Sequence, residues 1–194
     1  HYTRTAGEGA ADPGIFSNAV DTTLTGNSVG GYWNKDTFND DQFAEVKFVA
    51  LPSGEGGPRS RQSASAKTFY WCGTNPNNHG NNLFRVMKYV AGTYTMIAAG
   101  ASSVAAGDAV RLEVSGAVTM TLIGKRNGVQ EISTTDTSIT SGGIVALGLL
   151  HNAVDVAIFD DFKAGDLTDG SGWNGKGIIG SVQSKTANQA SLVL

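Results

Sequence analysis

A chain of 194 residues is long enough for one well-buried core, and one sandwich-sized domain is expected. Its formal charge is −3, with acidic and basic residues interspersed, so it has no basic stripe to meet a phosphate backbone and nucleic acid is not an expected partner. The apolar runs, such as residues 143–150, fall far short of the roughly 20 residues of a spanning helix, so a soluble chain with no membrane partner is expected.

The 26 glycines, with abundant Ser, Thr, Ala, Asn and Val and few charges, suit short strands and tight turns better than long amphipathic helices. The chain opens on His1 rather than Met, which is expected of a processed, trimmed or incompletely known N-terminus. Weak strands are expected around Phe16 to Val20 and Val29 to Asn34. The stretch QFAEVKFVAL (42–51) alternates cleanly. Phe43, Glu45, Lys47 and Val49 share one face, and Ala44, Val46, Phe48 and Ala50 the better core face.

FYWCGTNPNNHGNN (69–82) reads as a strand running into an Asn-rich loop. Phe69 and Trp71 share one face and Tyr70 and Cys72 the other, so one pair must leave the core, and the pattern does not say which. Residues 83–90 and 93–99 flank Ala91-Gly92 as a hairpin. The stretch 109–115 and the apolar run after the 115–117 corner form a second hairpin, and Asn127-Gly128 leads into VQEIST, completing a meander. Residues 143–150 and 153–162, joined by the short turn His151-Asn152, close a series of about ten strands. From Asp166 to Leu194 the composition shifts to Gly and Ser with isolated apolar residues. This segment is either a linker-like tail or an extended arm that docks on a neighbouring copy.

The chemistry-bearing residues are sparse. GNSVG (26–30) matches the G-x-S-x-G pattern, but that motif works at a strand-to-helix elbow, and here both flanks read as strands, so Ser28 is a loop serine. His1, His79 and His151 lie far apart without zinc-site spacing, and the single Cys72 reads as a small buried hydrophobe. Glu45 and Glu113 are each single in their strands, and Asp160 and Asp161 are adjacent, so no catalytic carboxylate pair is evident. No cofactor is expected. Calcium is the cation that Asp160, Asp161, Asp166 and Asp169 would suit, although the spacing is not that of a helix-loop-helix calcium loop. What remains is aromatic and amide chemistry. Tyr32, Trp33, Tyr70, Trp71, Asn78, His79, Asn82, Arg85 and Tyr89 would suit stacking on sugar rings and hydrogen bonding to their hydroxyls, or alternatively packing or a protein interface.

YWNKDTFNDDQFAEVKF, FRVMKYVAGTYTMIAAG, AAGDAVRLEVSG, RNGV and VAIFDDFKAGDL together resemble the concanavalin A-like lectin/glucanase family, in its laminin G-like variety found in bacterial secreted proteins and tailed-phage virion proteins. The resemblance covers roughly residues 2–167. It implies an all-β, antiparallel jelly-roll β-sandwich of two sheets over residues 1–165, followed by an extended C-terminal tail, 166–194. HYTRT resembles the opening strand of such modules, which in that family runs beside the last strand. The glucanases' E-x-D-x-x-E signature and the alginate lyases' basic, Gln/His and Tyr motifs have no counterpart here. The resemblance therefore implies a non-catalytic carbohydrate-binding or adhesion module. Its expected setting is a virion decoration or tail-fibre component, or another extracellular assembly, with a glycan as partner and the tail contacting neighbouring copies or other subunits. A polysaccharide lyase or hydrolase with an unrecognised site, and a structural subunit without sugar affinity, are the alternative readings.

Overall fold

The computed structural model describes residues 2–4, 14–16, 19–22, 28–33, 38–52, 54–63, 68–75, 80–150, 157–167, 177–179, 181–183 and 191–193. Every regular element among them is a β-strand. The first sheet runs, in spatial order, β1 (Tyr2–Arg4), β4 (Ser28–Trp33), β13 (Ala146–Leu150), β6 (Glu55–Ser60), β7 (Phe69–Gly73), β8 (Leu83–Val90) and β9 (Thr93–Ser103). The second runs β12 (Val129–Asp136), β11 (Met120–Arg126), β10 (Ala109–Ser115), β5 (Gln42–Ala50), β14 (Ala157–Asp166), β3 (Ala19–Thr22) and β2 (Gly14–Phe16). β15 (Gly177–Ile179) also pairs with β14, and β16 (Ser181–Gln183) pairs with β17 (Ser191–Val193). All the pairings are antiparallel.

The alternation of β5 explains the core. Ala44, Val46 and Phe48 are fully buried between the sheets, while Lys47 and Val49 are exposed. They meet Tyr70 and Cys72 of β7, Val86 of β8, Leu112 of β10, Leu122 of β11 and Phe159 of β14 in one continuous apolar cluster. The meander β10–β11–β12 forms as expected. Asn127 (φ 52°) and Gly128 (φ 79°) occupy the two left-handed positions that a two-residue hairpin turn requires, and Ala91 (φ 51°) and Gly92 (φ 85°) do the same between β8 and β9.

The topology departs from the sequence reading in one pairing and adds to it elsewhere. β1 pairs with β4, not with the last strand of the sandwich, because β14 is already flanked by β5 and by β3 and β15. β13 and β14 lie in different sheets, and the short turn expected at His151-Asn152 lies outside the described residues. A central strand, β6, has the sequence EGGPRS, whose Gly and Pro carry no strand signal. It forms because its neighbours make room for it. Gly57 and Gly73 approach so closely that a Cβ on either would come within 2.0 Å of a backbone oxygen opposite, and the ladder to β7 is interrupted there, where Pro58 has no N–H to give. The head of the segment assigned to the tail is tied to the sandwich. Asp166 is buried and accepts from the Asn39 amide (2.7 Å) and its Nδ2 (3.2 Å), and Gly177–Ile179 pairs antiparallel with β14.

Two polar nodes fix the loops and sheets to one another. The Arg61 guanidinium is fully buried; it donates to the carbonyls of Asp40 (2.8 Å), Ile139 (3.2 Å), Thr140 (3.0 Å) and Gly116 (2.5 Å), and sits 3.5 Å from Asp41. Burial lowers its pKa, with Asp40 and Asp41 acting in the opposite sense. At the other node the Tyr70 hydroxyl donates to Asp136 (2.8 Å) and accepts from the Ile139 amide (3.1 Å), joining β7 to β12. Burial would raise the Asp136 carboxyl, but hydrogen bonds from Lys88, the Ser138 amide and Tyr70 outweigh it and bring the value down to about 2. Burial and the Asp136 bond push the Tyr70 phenol up.

Arg61→Met leaves the carbonyls of Asp40, Gly116, Ile139 and Thr140 without this donor and is expected to cost about 3 kcal/mol in urea unfolding, an effect below about 0.5 kcal/mol contradicting the role assigned to Arg61. The folded-state pKa of Asp136 lies below the unfolded carboxylate value near 4, so its contribution is fully present above about pH 4 and is lost as the pH falls toward about 2. Asp136→Asn should therefore flatten the acid limb of the stability curve in that window; an unchanged limb would contradict the assignment.

Candidate functional site

The outer face of the first sheet is built by the alternation of FYWC. Tyr70 and Cys72 face the main core, and Phe69 and Trp71 lie with Met87 in a second buried cluster, against which Tyr89 and Tyr94 pack half-buried. Cross-strand register sets three rows: Phe69–Tyr89–Tyr94, Arg59–Trp71–Met87–Met96 and Gly73–Arg85–Ala99. Phe69 stacks on Tyr89 (centroids 5.4 Å apart, planes 13° apart), and Tyr94 leans on Tyr89 at 4.4 Å. The Arg59 guanidinium sits 4.1 Å over the Phe69 ring. It also lies against Gly148 of β13, where an added Cβ would stand 2.0 Å from it. Small residues on β13 thus let a long cationic side chain lie flat on the sheet.

Next to the aromatic rows is a polar group. Asn75 Nδ2 donates to Glu55 Oε2 (3.1 Å) and approaches the Met87 sulfur (3.8 Å), and Thr74 donates to Asn82 Oδ1 (3.1 Å). Arg85, 3 % exposed, donates through Nη1 to the carbonyls of Leu83 (2.8 Å) and Asn81 (3.3 Å) and through Nη2 to Asn81 Oδ1 (2.5 Å). Burial lowers its pKa.

The structure separates the sequence candidates. Tyr70 is fully buried between the sheets with its hydroxyl on Asp136, which removes it from any surface that a sugar meets. Trp71 does leave the main core, but at 2 % exposure it supports the face rather than presenting it. Tyr89, Arg85 and Asn82 are on or beside this face. Tyr32 stands in register with Ala146 and, through it, with Arg59; Trp33 is one position off that row, and the side chains of both lie outside the described residues, as do Asn78 and His79. Arg59 and Glu55 were missed because EGGPRS carries no strand signal, whereas Asn75 belongs to the Asn-rich loop that runs on from FYWC. Tyr94 was legible, since a two-residue turn at Ala91-Gly92 places it directly opposite Tyr89.

Other candidates have structural employment. Cys72 is fully buried and burial raises its thiol pKa, so it is inert. Glu45 and Glu113 lie on the outer face of the second sheet in a ladder of ion pairs with Lys163 (2.9 Å), Arg111 (3.9 and 2.7 Å) and Lys125 (2.7 Å). Asp160 and Asp161 form a bulge in which the Asp161 amide donates to Asp160 (2.8 Å), and Asp161 has φ 50°. Asp166 spends both oxygens on Asn39, and Asp169 lies outside the described residues. Among the described residues no three His, Cys, Asp or Glu side chains converge, so the described part of the calcium set does not form the oxygen cage that the ion requires.

The sequence matches no protein-family model and no curated protein. Solved structures do resemble it. A carbohydrate-binding module, CBM66, from Bacillus subtilis superposes with a TM-score of 0.63 at 14% identity, covering 85% of this chain and 95% of that one. A protein of unknown function with a galectin-like fold from Bacillus subtilis gives 0.54 at 10% identity, over 85% and 89%. A legume lectin-like domain from Entamoeba histolytica gives 0.51 at 12% identity, over 86% and 90%. At such identities the likeness speaks for architecture alone. The two antiparallel sheets, their order and these neighbours identify the fold as the concanavalin A-like lectin jelly roll.

Proposed function

We propose that this chain is a non-catalytic carbohydrate-binding or adhesion module whose ligand meets the outer face of the first sheet. The observation that carries the reading is the half-buried Tyr89–Tyr94 pair, backed by Phe69, Trp71 and the Arg59 guanidinium. Tyrosine rings offer sugar C–H faces a broad contact and their hydroxyls a polar handle, at the entropic cost of two torsions each. Glu55, Asn75 and Asn82 add acceptors and donors beside them. Support from architecture is that two similarly folded proteins are described as a carbohydrate-binding module and a legume lectin-like domain. Cleavage of a glycosidic bond needs two carboxylates flanking it, and the described part of this face supplies one, Glu55, hydrogen-bonded to Asn75. In this reading the module works on an extracellular assembly such as a virion decoration or tail fibre, where many copies raise avidity and residues 166–194 contact neighbouring subunits.

A glycan array compares wild type with Tyr89→Ala and Tyr94→Ala. The reading expects binding by the wild type and a roughly 3- to 10-fold weakening in each variant, which corresponds to one lost aromatic contact; equal signals from all three, or none from any, contradict it. Gly148→Ala puts a methyl where the Arg59 guanidinium lies, at a position outside the left-handed region, so its effect is steric. It is expected to cost about 1–3 kcal/mol in thermal unfolding and to weaken glycan binding by displacing Arg59. Unchanged stability and binding would show that Arg59 does not support the face.

A further inference from the structure

The sulfur of this chain is confined to three methionines and one cysteine. Cys72 and Met120 are fully buried in the main core, and Met87 is 2 % exposed in the outer cluster. Met96 alone is open to solvent, at 46 %. The other exposed large apolar residues among those described, Val49, Val118 and Val129, belong to the second sheet or to the turn before β11.

Register decides where Met96 stands. It is the cross-strand partner of Met87, which lies in the outer cluster with Phe69 and Trp71, so it shares the outer face of the first sheet. It also follows Tyr94 by two residues on β9, and residues two apart on a strand share a face. The two routes agree because the β9 bulge begins only beyond Met96, on the step to Ala98. Met96 therefore carries the row Arg59–Trp71–Met87 out to the end strand of the sheet and borders the Tyr89–Tyr94 pair. Those two rings are half-buried, so Met96 is the most exposed large apolar side chain of the face. The strand that carries it, TYTMIAAGASS, has no charged residue.

A thioether is unbranched and polarizable, and it adapts to irregular apolar surfaces. It is also the group that peroxides oxidise. The sulfur lone pair attacks one peroxide oxygen and the O–O bond breaks; the proton on the transferred oxygen goes to the departing hydroxide, which leaves as water. Sulfur is oxidised by two electrons and hydrogen peroxide is reduced by two. The sulfoxide is polar and chiral, it disrupts apolar contacts, and reductases convert it back. We propose that Met96 is a redox-sensitive contact of the ligand face: as the thioether it completes the apolar surface beside Tyr94, and its oxidation by peroxide weakens ligand binding. The proposal rests on the glycan-binding reading and adds a modification site to it. Met87, the next sulfur along the row, is shielded by its burial.

The test treats the folded full chain with dilute hydrogen peroxide, maps the added oxygen by peptide mass spectrometry, and reads the glycan array before and after. Met96 is expected to gain one oxygen at least about tenfold faster than Met87 or Met120. The array signal should then weaken about three- to tenfold and recover after treatment with methionine sulfoxide reductases for both sulfoxide epimers. Met96→Leu, compared with its own untreated signal, should lose nothing to peroxide. Oxidation of Met96 no faster than that of the two buried methionines overturns the site. Selective oxidation with an unchanged signal, or an equal loss in Met96→Leu, overturns its effect on the ligand and leaves the glycan-binding reading standing. Absence of binding by the untreated chain to any glycan on the array overturns both.

Discussion

In a two-layer sandwich a strand shows one face to the opposing sheet, and its two-residue period forces every second side chain away from it. In β7 this constraint meets four consecutive large or apolar residues. Tyr70 and Cys72 fill the space between the sheets, and Phe69 and Trp71 are driven to the other side, where they are buried all the same. A second apolar cluster on the outer face follows, and with it a base on which Tyr89 and Tyr94 rest. The rest of the candidate site is arranged around that base, Arg59 over one ring and Arg85 two rows along.

A platform of this kind recognises a ligand only if it is held in one shape. Tyr70 bonds across the sandwich to Asp136, which Lys88 also holds, so the strands carrying Phe69, Trp71 and Tyr89 are anchored to the second sheet by polar bonds as well as by packing. Arg61, at the end of β6, gathers carbonyls from three separate loops with a single side chain. Tyr70 and Arg61 are buried with their hydrogen-bond donors occupied, so their work is structural.

The fold was largely legible because its long strands obey the period. β5 shows its core face in plain alternation, and the hairpin turns at Ala91-Gly92 and Asn127-Gly128 carry their left-handed positions in sequence. β6 was not legible. A strand whose Gly57 is pressed against the backbone of β7 and whose partner ladder is broken at a proline has lost the features by which strands are recognised. The site suffered most from this, since Arg59 and Glu55 are on that strand. Tyr70 was misplaced for the opposite reason: local pattern names two faces but not which one meets the other sheet, a choice made by tertiary packing. Which strand flanks β1 is likewise a long-range property that no local motif encodes.

The central claim is spatial, that a glycan meets the outer face of the first sheet. It is tested most directly by NMR on isotopically labelled protein titrated with a bound oligosaccharide. The expected shifts fall on the ring protons of Tyr89 and Tyr94, with the ion-pair ladder around Glu45 and Glu113 unmoved. Shifts confined to that ladder, or to the Asn127-Gly128 end of the second sheet, would contradict the account.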